Sequence, residues 1–373
     1  APMLSTNFTN FSHSEFACVP REAATDFIVK CITAAGATTS HATDLAELLV
    51  AADYRGHFSH GMNRLEMYVK DLKTGICDVK GEPVVEKETV ATAMVDGGNL
   101  LGPAVGKFCM NLAIKKASEA GVGWVCARRS NHYSIAGYYG LMAAEKSMIG
   151  MSMCNTSPLV VGSRAQQCTL GTNPIAFVAP TNSSDNFALD MATSTVAVGK
   201  IELQKRKGEN IPNGWGADPQ GRETNDPTKV LNGGGLLPLG GSEIGGGYKG
   251  YGLAMMVEVM CGVLAGAHYG KNIRRWGTTE RIADLGQCFI AVDPKAFFPG
   301  FEERLQDFID SQRNLEPSDP NHPVLVAGDP ERIHMKKCDD MGGIPYPKNV
   351  VEYMNGVANK LGVSSMTTIN PKV

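Results

Sequence analysis

Residues 121–148 read GVGWVCARRSNHYSIAGYYGLMAAEKSM, and this stretch decides the fold class. GVGWVCARR is an apolar run bounded by glycine, the pattern of a buried strand. Ser130, Asn131 and His132 then form a polar corner, IAGYYGLMAAEKSM has helical spacing, and MIGMSMCNTS is a second apolar strand. Strand, corner, helix and strand together make the building unit of an α/β protein.

Upstream of this unit, VVEKETVATAMVDGGN is β-like and ends in a Gly-Gly turn, and Pro103 opens an amphipathic helix to about Ala120. Farther up, Pro20 starts a helix stopped by Gly36, Thr39 caps a second, and a third covers Gly61 to Lys73. Downstream, IAFVAP and NFALDMA are short strands, and Val196 to Lys207 predicts a helix whose N-cap is expected at Thr193 or Ser194. Residues 208–247, rich in Gly, Pro and Asn, read as a long loop serving as a lid or cover. A helix from about Lys249 to Ala267, a strand in IADLGQCFIAV, a helix in FEERLQDFIDSQRN and a last helix from about Asn349 to Leu361 complete the chain. The order is not a regular βαβ alternation. It predicts a mixed-sheet domain over 79–299, joined to a helical part made of residues 1–78 and 300–373.

Composition narrows the function. The 373 residues carry 35 Lys+Arg against 38 Asp+Glu, so no basic excess points to nucleic acid or to a membrane surface. The most apolar stretch, Leu253 to Ala267, is broken by Glu258 and is too short to span a bilayer. The N-terminal APMLSTNFTN has neither the basic nor the apolar region of a signal peptide. The ten cysteines include no C-x-x-C pair, which excludes zinc ribbons and thioredoxin-type motifs. A reduced, cytoplasmic protein is expected; without secretion, N-glycosylation triplets such as Asn7-Phe8-Thr9 carry no weight.

Two nucleotide signatures fail. Gly245-Gly246-Gly247-Tyr248-Lys249-Gly250 satisfies G-x-G-x-x-G, but a glycine-rich loop precedes it where a strand is required. Ten of the twenty residues from 233 to 252 are glycine, so the match is of the kind chance produces. Gly102 to Lys107 resembles a P-loop one residue short, with Phe108 in place of Ser/Thr.

Three clusters carry candidate chemistry. Ser59-His60-Gly61-Met62-Asn63-Arg64 groups a hydroxyl, an imidazole and a guanidinium at a loop-to-helix junction, where free N–H groups favour an anion and Arg can grip a carboxylate with two hydrogen bonds. A Ser N-cap with surface His and Arg explains the same residues; a metal on His57 and His60 lacks the necessary spacing, and none is expected. Ser130-Asn131-His132-Tyr133 follows a strand, at the sheet edge where ligands bind, and a His there can transfer protons near neutral pH. A capping turn is the plain alternative. Asp190-Met191-Ala192-Thr193-Ser194 ends a strand in an acid that could orient a His or bind ribose.

With Leu170-Gly171-Thr172-Asn173-Pro174-Ile175-Ala176 and Tyr248-Lys249-Gly250-Tyr251-Gly252-Leu253, these strings fall in the order found in one family. From about residue 15 to 362 the sequence resembles the type-2 malate/L-lactate dehydrogenases, which include ureidoglycolate and sulfolactate dehydrogenases and cyclic-imine carboxylate reductases. The resemblance implies a non-Rossmann mixed sheet that binds NAD or NADP, and a homodimer. It implies hydride transfer to or from the α-carbon of a small 2-hydroxy or 2-oxo acid; the alternatives are reduction of a C=N carboxylate or a scaffold that has lost activity. Carried over by position, His132 is the acid/base, with His60 and Asp190 beside it in catalysis. Ser59 and Arg64 meet the carboxylate substrate. The cofactor falls to His60, Thr156, Asp190, Met191, Ala192 and Lys249, together with Gly328, Asp329 and Glu331 of the Gly328–Glu331 turn. Lys205, Arg206 and Lys207 follow the Asp190 motif and are candidates for a 2′-phosphate, and a solvated helix face explains them equally well. Phe58, Met62 and Tyr133 depart from the usual residues around these motifs.

Overall fold

The run LGQCFIAV is apolar at nearly every position, so it suits a strand covered on both faces. In the computed structural model, which describes residues 16–275 and 277–371, Leu285–Val292 is buried everywhere except its last residue and lies at the centre of the main sheet. The stretch read for a signal peptide and the Asn7 triplet fall outside the described residues. Among those residues no helix is long and apolar enough to cross a membrane.

The chain divides into two compact units, 1–80 with 303–373, and 81–302. In the second, the main sheet runs in the order Val84–Glu88, Thr92–Asp96, Val122–Ser130, Leu285–Val292, Ile149–Cys154, Ile175–Pro180 and Asn186–Met191. Thr92–Asp96 pairs parallel with Val122–Ser130, and the other pairs are antiparallel, so the sheet is mixed as expected. The outer strand Val84–Glu88 is largely exposed, and its charges discourage edge-to-edge pairing. Alternation along Leu285–Val292 sends Phe289 against Tyr133 and Tyr139, on the side of helix Gly137–Ala144. Cys288 and Ile290 face the other way and pack with Val257, Cys261 and Ala265. Helix Gly102–Ala120 approaches so closely that a methyl on Gly123 would lie 1.9 Å from the Ala113 carbonyl.

Residues 208–247 are not a bare loop. They contribute Gly216–Ala217, Glu223–Thr224 and Gly235–Leu236 to a five-stranded sheet with Val160–Val161 and Cys168–Leu170, plus helix Pro227–Leu231. Val160, Val196, Ile201, Ile211, Val230 and Leu236 give this region its own core. The few apolar residues among the glycines are spaced to fill that core, which the composition hides. Helix Val198–Lys207 starts after Ala197, and neither Thr193 nor Ser194 caps it. The helix expected over 249–267 begins at Gly247, runs to Glu258 and widens into a π-helical turn at Val259–Val263.

The first unit has helices Arg21–Ala34, Thr39–Tyr54 and Leu65–Lys73, with all but the first two residues of Phe301–Arg313, and Lys348–Lys360, from the C-terminal segment. Thr38, not Thr39, caps the second helix, its hydroxyl accepting the His41 amide at 3.3 Å. A helix at Asp329–Met341 and a two-stranded ribbon of Phe16–Val19 with Ile344–Pro347 were not apparent from the sequence. The helix is strongly polar, burying Asp329, Glu331 and Cys338 but no long apolar side chain, and the strands are four residues each.

Candidate functional site

In the first unit, the stretch expected to open a helix at Gly61 forms two 3₁₀ turns, Phe58–His60 and Met62–Arg64, on either side of Gly61. Ser59 Oγ and His60 Nδ1 are 2.9 Å apart, and Arg64 Nε donates to the Ser59 carbonyl at 2.6 Å. The structure thus brings Ser59, His60 and Arg64 together. Loss of water around the ring, then the neighbouring Arg64 and His57, push the His60 imidazole down to about 4, so it is neutral at pH 7. When the serine hydroxyl donates to Nδ1, the ring proton sits on Nε2.

Beneath this turn is a carboxylate that the sequence did not single out. Asp53, at the end of helix Thr39–Tyr54, is 1% exposed. Its Oδ2 accepts the Met62 amide at 2.8 Å and the Tyr346 hydroxyl at 2.6 Å. A methyl on Gly61 would lie 1.8 Å from Asp53 Oδ1, so glycine is needed there for space. Burial pushes the Asp53 carboxyl up to about 7, against the pull of its hydrogen bonds and of His57. An acid six residues before the Ser-His-Gly string, on a helical face otherwise apolar, was the available signal.

The Gly328–Glu331 turn proves to be the start of helix Asp329–Met341, with Gly328 at the N-cap in the left-handed region (φ 101°). Asp329 takes two hydrogen bonds from Arg313, at 3.1 and 2.6 Å, and one from Arg332 at 2.6 Å. Burial works against its charge, but these hydrogen bonds prevail and hold the carboxyl down to about 2. Glu331 lies 3.3 Å from His57 Nε2. Its carboxyl is also held below the usual range, burial being outweighed by the imidazole.

In the second unit, His132 stands on the corner after Val122–Ser130. Asn131 anchors that corner: its Nδ2 donates to the Asn99 and Leu100 carbonyls at 3.1 and 2.9 Å, and its own carbonyl accepts Gln287 Nε2 at 3.0 Å. The Ser134 amide approaches His132 Nδ1 at 3.4 Å. Asp190, near the end of the last strand, accepts the Gly137 amide at 2.8 Å and so fixes the far end of the same corner. Met191 and Ala192 follow it, half-buried, with Met191 paired opposite Ile175.

Thr156 lies beside the Gly171-Thr172-Asn173 string. Its amide donates to Asn173 Oδ1 at 3.0 Å, and its hydroxyl is 3.5 Å from that of Thr172. The Thr193 hydroxyl lies 3.0 and 3.1 Å from the Thr172 and Asn173 carbonyls, to which it can donate, and stands four residues ahead of the Ala197 N-cap. The glycine-rich loop joins this group, since the Leu239 amide reaches the Thr193 carbonyl at 2.8 Å and a methyl on Gly250 would lie 2.3 Å from the Leu239 carbonyl. Lys249 is exposed on the first turn of the helix, its Nζ 6.0 Å from the Tyr248 ring centre. Lys205, Arg206 and Lys207 are exposed at the end of helix Val198–Lys207.

Among the described residues no group of His, Cys, Asp and Glu is arranged to hold a metal ion. The polar groups around Thr156 are hydroxyls, amides and close-packed glycine backbone, a donor set suited to ribose and diphosphate.

Comparison with known proteins identifies the family. The family model described as malate/L-lactate dehydrogenase matches residues 19–355. A malate dehydrogenase of Pyrococcus horikoshii is 40% identical over 351 residues, covering 93% of this chain and 96% of the relative. An L-sulfolactate dehydrogenase of Methanocaldococcus jannaschii is 38% identical, with 90% and 95% covered. The solved structure of the Pyrococcus horikoshii malate dehydrogenase superposes with a TM-score of 0.86, over 94% of this chain and 97% of that one. The chain therefore belongs to the malate/L-lactate dehydrogenase family and is an oxidoreductase acting on 2-hydroxy acids.

Proposed function

We propose that this enzyme interconverts a small 2-hydroxy acid and its 2-oxo acid with NAD or NADP, using His132 as the proton-exchanging group. The observation that carries the reading is the His132 corner: a half-buried imidazole on a turn tied to two neighbouring segments by Asn131 and to the last strand by Asp190. Such fixed placement is what general acid/base catalysis requires.

NAD(P), when bound, supplies the ring that accepts or returns the hydride. Thr156, Asp190, Met191, Ala192 and Lys249 are proposed to hold it, and the hydroxyl- and glycine-lined group around Thr156 fits its ribose and phosphates. His132 takes the substrate hydroxyl proton during oxidation and gives it back during reduction. Arg64 receives the α-carboxylate through its planar fork. Neutral His60 donates a hydrogen bond to substrate or cofactor without adding positive charge beside Arg64. Ser59 sets the His60 tautomer. Gly328, Asp329 and Glu331 carry less of this proposal, because Asp329 already serves Arg313 and Arg332. We also propose a homodimer, supported by an apolar stripe on residues 248–264, where Tyr248, Met255, Val259 and Val263 are exposed.

Titration with NADH and NADPH, followed by nicotinamide fluorescence and then by addition of 2-oxo acids, tests the reading. Saturable binding of one cofactor with turnover of a 2-oxo acid is expected. Binding of neither cofactor overturns it. The molar mass in solution tests the dimer.

A further inference from the structure

The apolar stretch from Leu253 to Ala267 is interrupted by one carboxylate, Glu258, which is 6% exposed. Its neighbours on the helix, Val257, Cys261 and Ala265, pack into the core against the sheet. A leucine would continue that core, whereas a buried carboxylate gives up its hydration. Core packing therefore gives no reason for the charge.

The hydrogen bonds of Glu258 do give one. Oε1 accepts Asn155 Nδ2 at 3.1 Å and the Gly270 amide at 2.8 Å, and Oε2 accepts Asn173 Nδ2 at 2.8 Å. Asn173 passes the contact on, since its Oδ1 accepts the Thr156 amide at 3.0 Å and its Nδ2 also reaches the Ala254 carbonyl at 3.0 Å. Asn155 ties the other side, accepting the Gly286 amide at 2.8 Å and donating to the His268 carbonyl at 2.8 Å. The helix ends at Glu258 and widens into the π-helical turn, a distortion that recurs at functional sites.

We infer that Glu258 is a positioning residue for cofactor binding: a buried anion that, through Asn173, fixes the loop bearing Thr156. The inference rests on the proposed role of Thr156 in holding NAD(P). The negative charge matters because both oxygens face N–H donors, so only an acceptor-only group satisfies all three. A glutamine cannot, in either orientation. Its less costly orientation turns the NH₂ toward Asn173, and the Asn173 amide must then flip, releasing the Thr156 N–H and the Ala254 carbonyl.

The test compares Glu258→Gln, Asn173→Ala and the double variant with wild type in NADH titrations, steady-state turnover of a 2-oxo acid, and hydrogen exchange at the Thr156 amide. In each single variant the NADH Kd should rise about tenfold or more, the Thr156 amide should lose protection, and kcat at saturating NADH should stay within about threefold. Because both residues act along one path, the double variant should bind NADH no worse than about twofold below the weaker single. A Kd for Glu258→Gln within about twofold of wild type overturns the inference, as does full multiplication of the two penalties. Loss of Thr156 protection with unchanged NADH affinity overturns it while leaving the cofactor reading intact. If wild type binds neither NADH nor NADPH, the cofactor reading fails and takes the inference with it. Should Glu258→Gln not fold, Asn173→Ala alone decides, since it breaks the same link while leaving Glu258 its Asn155 and Gly270 donors.

Discussion

The turn bearing His60 and the corner bearing His132 are held in place by different means. Around His60 the supports are side chains that can change charge or shape: the Asp53 carboxyl under Gly61 and Met62, the Tyr346 hydroxyl, and the Ser59 and Arg64 contacts. Around His132 the supports are backbone carbonyls and amides of neighbouring strands and loops, reached by the neutral Asn131 and Gln287, with Asp190 holding the far end. A methyl on Gly102 would lie 2.3 Å from the carbonyls of both Asn131 and His132, so helix Gly102–Ala120 leaves the corner no room to shift. The first arrangement suits recognition of a charged group, where small adjustments are tolerable. The second suits proton transfer, which is intolerant of displacement.

The largest effect that would break this comparison is at His132. His132→Ala should lower kcat by at least ~10²-fold with NADH affinity nearly unchanged, because only help given in the transition state is removed. Wild-type turnover would remove the contrast altogether. Next comes Arg64→Lys, expected to raise KM for the carboxylate substrate about tenfold with a smaller change in kcat, since the lysine lacks the planar fork. A loss confined to kcat would instead make both turns catalytic.

Gly61→Ala probes the packing beneath the first turn. The added methyl must displace Asp53, at a cost of about 1–3 kcal/mol in a denaturant titration. An unchanged unfolding midpoint would mean that Asp53 moves freely. The last test concerns pH. The Asp53 carboxyl lies higher in the folded protein than its unfolded value near 4, so its contribution to stability is greatest in acid and declines as pH rises toward about 7. Asp329, held down to about 2, works the other way: its contribution is present above pH 4 and is lost as pH falls through 2. Asp53→Asn should flatten the stability profile between pH 4 and 7, and Asp329→Asn should flatten only the acid limb. Profiles parallel to wild type in both variants would refute the assignment.

Much of the fold was legible because apolar runs such as GVGWVCARR and LGQCFIAV mark strands on their own. The region 208–247 was not, because its strands are two residues long and carry no periodicity. The helix at Asp329–Met341 was read as a turn because Gly328, Asp329 and Pro330 are turn formers, yet glycine at an N-cap and proline in a first turn also begin helices. At the site, the exposed or half-exposed chemistry of Ser59, His60, Arg64 and His132 stood out as motifs. The residues that hold those motifs did not. Asp53, Tyr346 and Glu258 act across 293 residues in one case and 103 in another, and no local pattern encodes such pairings.

The central strand also has a consequence for how the protein is made. Leu285–Val292 sits between Val122–Ser130 and Ile149–Cys154, and the Arg129 amide bonds Asp284 across 155 residues of chain. A nascent chain therefore emerges from the ribosome with a gap in the middle of its sheet and two unpaired edges facing that gap. The native partner of both edges comes from far later in the chain, and closing so long a loop is slow. During synthesis those edges are the places where another chain can pair, so the hazard of aggregation is concentrated in the interval before residue 292 is released.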